Sequence, residues 1–173
     1  HHKGKNQILY YEEHLSEKTQ KHLTYENDIL RAIEKRDFIL HLQPQWDMRN
    51  EKVIGAEALL RWNQADGTYL SPVDFLPLVE EKGIMVPLGN WVLEESCRIL
   101  ADWQRQGIKL PLAVNISGLQ VQHETFLPHL KTILSHYKID ASQLMLEITE
   151  TARIPDLDEA LLLLRELHEL GVS

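Results

Sequence analysis

A chain of 173 residues, 43% apolar and 25% charged, is long enough to bury roughly 70% of the surface its unfolded form would expose, and its composition excludes disorder. No apolar run approaches the ~18 residues of a membrane span. The net charge of −8, from 18 lysines and arginines against 26 aspartates and glutamates, argues against a DNA- or RNA-binding surface. One cysteine, Cys97, excludes an internal disulfide and a cysteine-rich zinc site, and with no secretory signal visible the expected setting is the reducing cytoplasm.

Residues 1–11 read as a turn followed by a short strand over 7–11, with His1 and His2 either native or the remnant of a tag. Residues 12–35 carry Leu15, Leu23, Ile29, Leu30 and Ile33 at helical spacing, with Glu17 and Lys21 paired at i,i+4. A stripe this thin predicts a connecting helix that leads into a domain. Two β-rich runs follow, 38–46 and 53–62, separated by Arg49-Asn50-Glu51, which predicts a hairpin. Asp66-Gly67 marks a loop. Ser71-Pro72 starts a helix that Gly83 is expected to end, and a second helix is expected over 88–106, with Trp91, Val92, Ile99, Leu100 and Trp103 on one face. A strand at 111–116 precedes an amphipathic helix bearing Phe126, Leu130, Ile133, Leu134 and Tyr137. A strand at 144–149 precedes a leucine-rich helix at 156–170, capped by Gly171.

After the hairpin, strands and helices alternate, which means parallel strands joined by crossover helices in an α/β fold. Four core strands are too few for a (β/α)8 barrel, which typically needs ~250 residues. The reading is therefore one part of such a barrel.

Three residues interrupt apolar strands: Glu57 in VIGAEALLRW, Asn115 in LAVNIS and Glu147 in LMLEITE. A charge there is costly to desolvate without a partner. In β geometry Glu57, Leu59 and Arg61 share one face, and Ala56, Ala58, Leu60 and Trp62 take the other. Arg61 then stands about 13 Å beyond Glu57 along the strand. Asn115 and Glu147 lie near the ends of strands that feed helices, where α/β folds gather ligands. Two carboxylates and an amide oxygen are hard ligands, suited to Mg²⁺ or Mn²⁺ rather than zinc, and such a set suggests metal-assisted attack on a phosphodiester. The plainer alternatives are a solvated strand edge or an arginine partner for each carboxylate, an exposed helix start for Glu150, and edge-strand punctuation for Gln43 before Pro44. The nine histidines show no metal-binding spacing.

Taken together, FILHLQPQWD (38–47), GAEALLRW (55–62), LSPVDFLPLVEEKGIMVPLGNWVL (70–93), LAVNISGLQ (112–120) and LMLEITET (144–151) resemble the EAL domain family of cyclic di-GMP phosphodiesterases, from about residue 26 to 173. The resemblance implies a (β/α)8 TIM-like barrel with an antiparallel first strand, of which this sequence holds the first half. It implies hydrolysis of cyclic di-GMP to linear pGpG with Mg²⁺ or Mn²⁺ in bacterial signalling. Carried over by motif, Glu57, Asn115 and Glu147 are the metal ligands, and Arg61 contacts a substrate phosphate. Gln43 and Leu59 line the nucleotide pocket, and Glu150 holds a catalytic loop. The family's later Asp-Asp-Phe-Gly motif, lysine, general-base glutamate and glutamine are not in these residues. The expectation is a piece of a longer chain, or one that completes its barrel by swapping.

The first fourteen residues resemble the tail of a diguanylate cyclase (GGDEF) domain. That gives a division into a GGDEF-like tail (1–11), a linker helix (12–36) and the first part of an EAL domain (37–173). Parents of this kind often carry sensory segments, are tethered to the inner membrane, and form homodimers. The competing readings are a receptor that binds cyclic di-GMP without cleaving it, and an interaction or dimerisation module.

Overall fold

The computed structural model describes residues 27–76, 82–148 and 157–173. The described elements run from α1 (27–35) through β1 (Phe38–Asp47), β2 (Lys52–Asn63), β3 (Tyr69–Leu70), α2 (Pro72–Phe75) and α3 (Lys82–Arg105). They continue with β4 (Leu112–Ile116), α4 (Gly118–Gln122), α5 (Phe126–Tyr137), β5 (Leu144–Ile148) and α6 (Leu157–Glu169). The predicted strand at 7–11, most of the predicted linker helix, and Glu150 lie outside the described residues.

The hairpin forms where the Arg49-Asn50-Glu51 break demands it. Asp47 accepts hydrogen bonds from the Arg49 N–H at 2.9 Å and the Asn50 amide at 2.6 Å, and Glu51 takes the left-handed conformation that closes the turn. These two bonds hold the Asp47 carboxyl below its usual range, the Asn50 side chain contributing most. The register runs from Phe38 opposite Trp62 to Asp47 opposite Lys52, with one bulge at Gln45/Trp46. Gln43 sits in mid-strand rather than at a strand end, opposite Glu57. Pro44, beside it, is accommodated because β1 is an edge of the described sheet. The Asp66-Gly67 loop turns back into β3, a two-residue strand the sequence did not announce; Gly67 there has φ of +85°.

The sheet order is β1-β2-β4-β5, with β1 and β3 antiparallel to β2, and β2, β4 and β5 parallel. After α6, Gly171 takes positive φ and the chain re-enters the sheet. Ser173 donates its N–H to Leu144 and accepts from Leu146, at 3.1 and 2.8 Å, which is the parallel pattern on the free side of β5. This is the α/β arrangement of a partial barrel.

Alternation decides the layers. Ala56, Ala58 and Trp62 of β2, Leu112, Val114 and Ile116 of β4, and Leu144 of β5 are buried. Except for Trp62, all pack against Val92, Leu93, Cys97 and Leu100 of α3, Phe126, Leu130 and Ile133 of α5, and Leu167 of α6. Each large side chain buried this way contributes ~1.5–3 kcal/mol. A second cluster joins Ile29 and Ala32 of α1 to Phe38, Trp62, Phe75, Ile84 and Leu88, with Phe38 and Trp62 stacked at 5.5 Å and Phe75 edge-on to Trp62 at 5.5 Å. Trp62 is thus core, whereas Trp46 stays 53% exposed.

The expected stop at Gly83 and restart at Leu88 do not occur: both Gly83 and Pro87 lie inside α3. Gly83 costs about 1 kcal/mol relative to alanine in a helix, and Pro87 removes one hydrogen bond near the start. Burial of Ile84 and Leu88 in the second cluster outweighs these local penalties.

Candidate functional site

With the helices packed on one face of the sheet, the other face carries the residues that broke the apolar pattern. From β1 come Gln43, opposite Glu57, and His41, opposite Leu59. From β2 come Glu57, Leu59 and Arg61; from β4 Asn115; from β5 Glu147, its register partner in parallel pairing. His41, Gln43, Asn115 and Glu147 are exposed, while Glu57, Leu59 and Arg61 are half-buried.

The central contact is a hydrogen bond of 3.0 Å from Asn115 Nδ2 to Glu57 Oε1. It links residues 58 positions apart in sequence, and it exists because β2 and β4 pair in parallel with Glu57 level with Ala113. Asn115 lies two residues further along β4, so its amide reaches diagonally to the carboxylate. With Nδ2 committed to Glu57, Oδ1 remains as an acceptor. Glu147 flanks Asn115 on the next strand, about 4.8 Å away by strand spacing. Ser117 then starts α4 by accepting the Leu119 N–H at 3.2 Å, so the chain turns away immediately above this group.

Arg61 shares the face but folds back, donating from Nη1 to the Leu60 carbonyl at 2.7 Å. The structure thus brings Gln43, Glu57, Asn115 and Glu147 together, with Leu59 and Arg61 above them on β2; Glu150 lies outside the described residues. Among the described residues no three His, Cys, Asp or Glu side chains converge as a metal site; Glu57, Asn115 and Glu147 offer two carboxylates and one amide, each with an oxygen to donate. That donor chemistry fits a hard divalent cation. A cleft of about 290 Å³ between α4, α5 and α6, lined by Val121, His123, Leu127 and Leu163, opens on the helix side and contains none of these residues. The sequence reading passed over His41; its signal is the period of two that puts it on one face of β1 with Gln43.

Among the described residues no helix is long and apolar enough to cross a membrane. The EAL domain model matches residues 26–173. The bifunctional diguanylate cyclase/cyclic di-GMP phosphodiesterase MucR of Pseudomonas aeruginosa is 35% identical over 98% of this chain and 25% of its own length. The cyclic di-GMP phosphodiesterase PdeR of Escherichia coli is 31% identical over 98% of this chain and 26% of its own. The chain thus spans about a quarter of these relatives. A solved structure of the PaMucR phosphodiesterase in complex with c-di-GMP superimposes with a TM-score of 0.79 at 36% identity, covering 87% of this chain and 61% of that one. The matched region holds the reversed first strand and the strands bearing Glu57, Asn115 and Glu147, and the chain belongs to the EAL domain family.

Proposed function

We propose that this chain is the first part of a metal-dependent phosphodiesterase that hydrolyses cyclic di-GMP to linear pGpG in bacterial second-messenger signalling. The observation that carries the reading is the Asn115–Glu57 hydrogen bond with Glu147 alongside, in a family with relatives named as cyclic di-GMP phosphodiesterases. Glu57, Asn115 Oδ1 and Glu147 would hold Mg²⁺ or Mn²⁺, which supplies Lewis-acid stabilisation of phosphate charge and lowers the pKa of water. Arg61, released from the Leu60 carbonyl, turns its guanidinium to a non-bridging phosphate oxygen. Gln43 and Leu59 line the nucleotide pocket, and Glu150 helps hold the catalytic loop that follows a later strand. Residues 1–11 then belong to a preceding GGDEF-like domain, 12–36 form its linker, and the parent pairs as a homodimer and is tethered to the inner membrane.

The test is cyclic di-GMP hydrolysis by the full-length protein with Mg²⁺ or Mn²⁺, followed by chromatography of the product. Glu57→Ala is expected to abolish turnover with the melting temperature kept, and Arg61→Ala to raise KM with a smaller change in kcat. Wild-type turnover by Glu57→Ala at limiting metal removes the ligand assignment. Tight binding without hydrolysis by the wild-type protein makes it a receptor instead.

A further inference from the structure

His41 and Tyr69 meet edge-on, their ring centroids 5.2 Å apart and their planes at 71°. The topology gives this contact its meaning. β1 occupies one side of β2, placing Phe38 opposite Trp62. β3 places Leu70 opposite the same Trp62, so it holds the other side. The two rings therefore come together across β2. His41 is level with Leu59 and Tyr69 with Asn63, and the level between them is that of Arg61.

Core packing does not account for the pair. The rings that serve the core, Phe38, Trp62 and Phe75, are buried, whereas His41 is exposed and Tyr69 is 49% exposed. An edge-on ring pair leaves ring faces open to a further aromatic partner. Here those faces stand beside an arginine suited to phosphate and on the same side of the sheet as the oxygen donors. A flat π surface next to a phosphate-binding cation fits a nucleotide, whose base stacks while its phosphate is held. Base–aromatic stacking is worth ~1–3 kcal/mol per base.

We infer that His41 and Tyr69 form a platform on which one guanine of the ligand stacks, which makes them specificity-determining residues of the activity proposed above; the inference rests on that reading. Its test compares His41→Ala, Tyr69→Ala and Tyr69→Leu with the ring-conserving His41→Phe and Tyr69→Phe in the full-length protein. The readouts are steady-state kinetics and equilibrium binding of cyclic di-GMP, with thermal melts. Loss of a ring is expected to raise KM and Kd about 5- to 150-fold, with kcat kept within about twofold, and the phenylalanine variants should stay within about twofold of wild type. Tyr69→Leu keeps an apolar side chain in the strand and so separates loss of the ring from loss of packing. Unchanged KM and Kd in all three ring-deleted variants of an active protein overturns the platform and leaves the phosphodiesterase reading standing. A matching fall in kcat in the ring-conserving variants also overturns it, since it shows a structural role. A wild-type protein that neither binds nor cleaves cyclic di-GMP removes the parent reading, and the platform with it.

Discussion

Asn115 gains its importance from what it holds. Its Nδ2 fixes Glu57 Oε1 at 3.0 Å; under the ligand set proposed above it thereby orients a ligating carboxylate, and a group of that kind typically affects metal affinity 10- to 100-fold. Asn115→Ala should therefore weaken Mn²⁺ binding by roughly that factor, read by titration calorimetry, while leaving the melting temperature nearly unchanged because the side chain is exposed. Cys97 behaves in the opposite way. Burial, reinforced by the nearby charge of Glu94, pushes its thiol up from 9.0 to about 12. At pH 8 the native protein should react with iodoacetamide on the order of a thousandfold more slowly than an ordinary free thiol, and denaturant should abolish that protection. The sign of the pH dependence follows. Above pH 9 the unfolded thiol loses its proton while the native one keeps it, so stability is intact below about 9 and falls as pH rises toward 12. Urea midpoints at pH 8 and 10 would check it. The face shared by Glu57, Leu59 and Arg61 was legible because strand alternation needs only local sequence. The Asn115–Glu57 bond was not, since it depends on the register between two strands joined through α3.

Among the elements, α3 carries two glycines with opposite roles. A Cβ on Gly83 meets nothing within 4 Å, whereas one on Gly89 falls 1.9 Å from Gln120 Oε1. Gln120 is only 2% exposed, so its amide has little room to move aside. Gly83→Ala should stabilise by about 0.5–1 kcal/mol through helix propensity and chain entropy. Gly89→Ala should destabilise by about 1–2 kcal/mol through overpacking, and Gln120→Ala in that background should recover part of the loss; chemical denaturation of the four proteins tests the set. The sequence located α5 and α6 well because their apolar spacing agrees with their packing. It misplaced the start of α3 because glycine and proline are local signals, and the burial that overrides them comes from Phe38, Trp62 and Phe75, which lie on other elements. The seating of α1 was hidden for the same reason: of the thin stripe read from the sequence Ile29 is buried but Leu30 is exposed, and Ala32, outside that stripe, is buried too.

Across the described residues, one face of the sheet is covered by helices while the other carries Gln43, Glu57, Arg61, Asn115 and Glu147; α6 likewise has a covered and an uncovered side, but its uncovered side is apolar. Ala160, Leu163, Leu167 and Leu170 pack toward the core. Leu157, Leu161 and Leu164 form a second stripe about a third of a turn away and remain exposed, Leu157 by 73%. The 173-residue polypeptide on its own should bind the dye ANS and self-associate. Charging the stripe with Leu161→Lys and Leu164→Glu should lower both signals, while changing stability by only about 0.5 kcal/mol per site, as read by dye fluorescence, sedimentation and melting. The direction of β1 has a consequence for how this architecture is wired. Had the first strand run with its neighbours, a helix preceding it would arrive at the opposite end of the sheet, roughly 30 Å from Arg61 by the rise of a ten-residue strand. Because β1 is reversed, α1 is delivered to the rim where β2 ends, and the Asp37 carbonyl accepts the Asn63 N–H at 2.9 Å. A pull on α1 would thus be felt two residues from the arginine, without having to travel the length of the sheet.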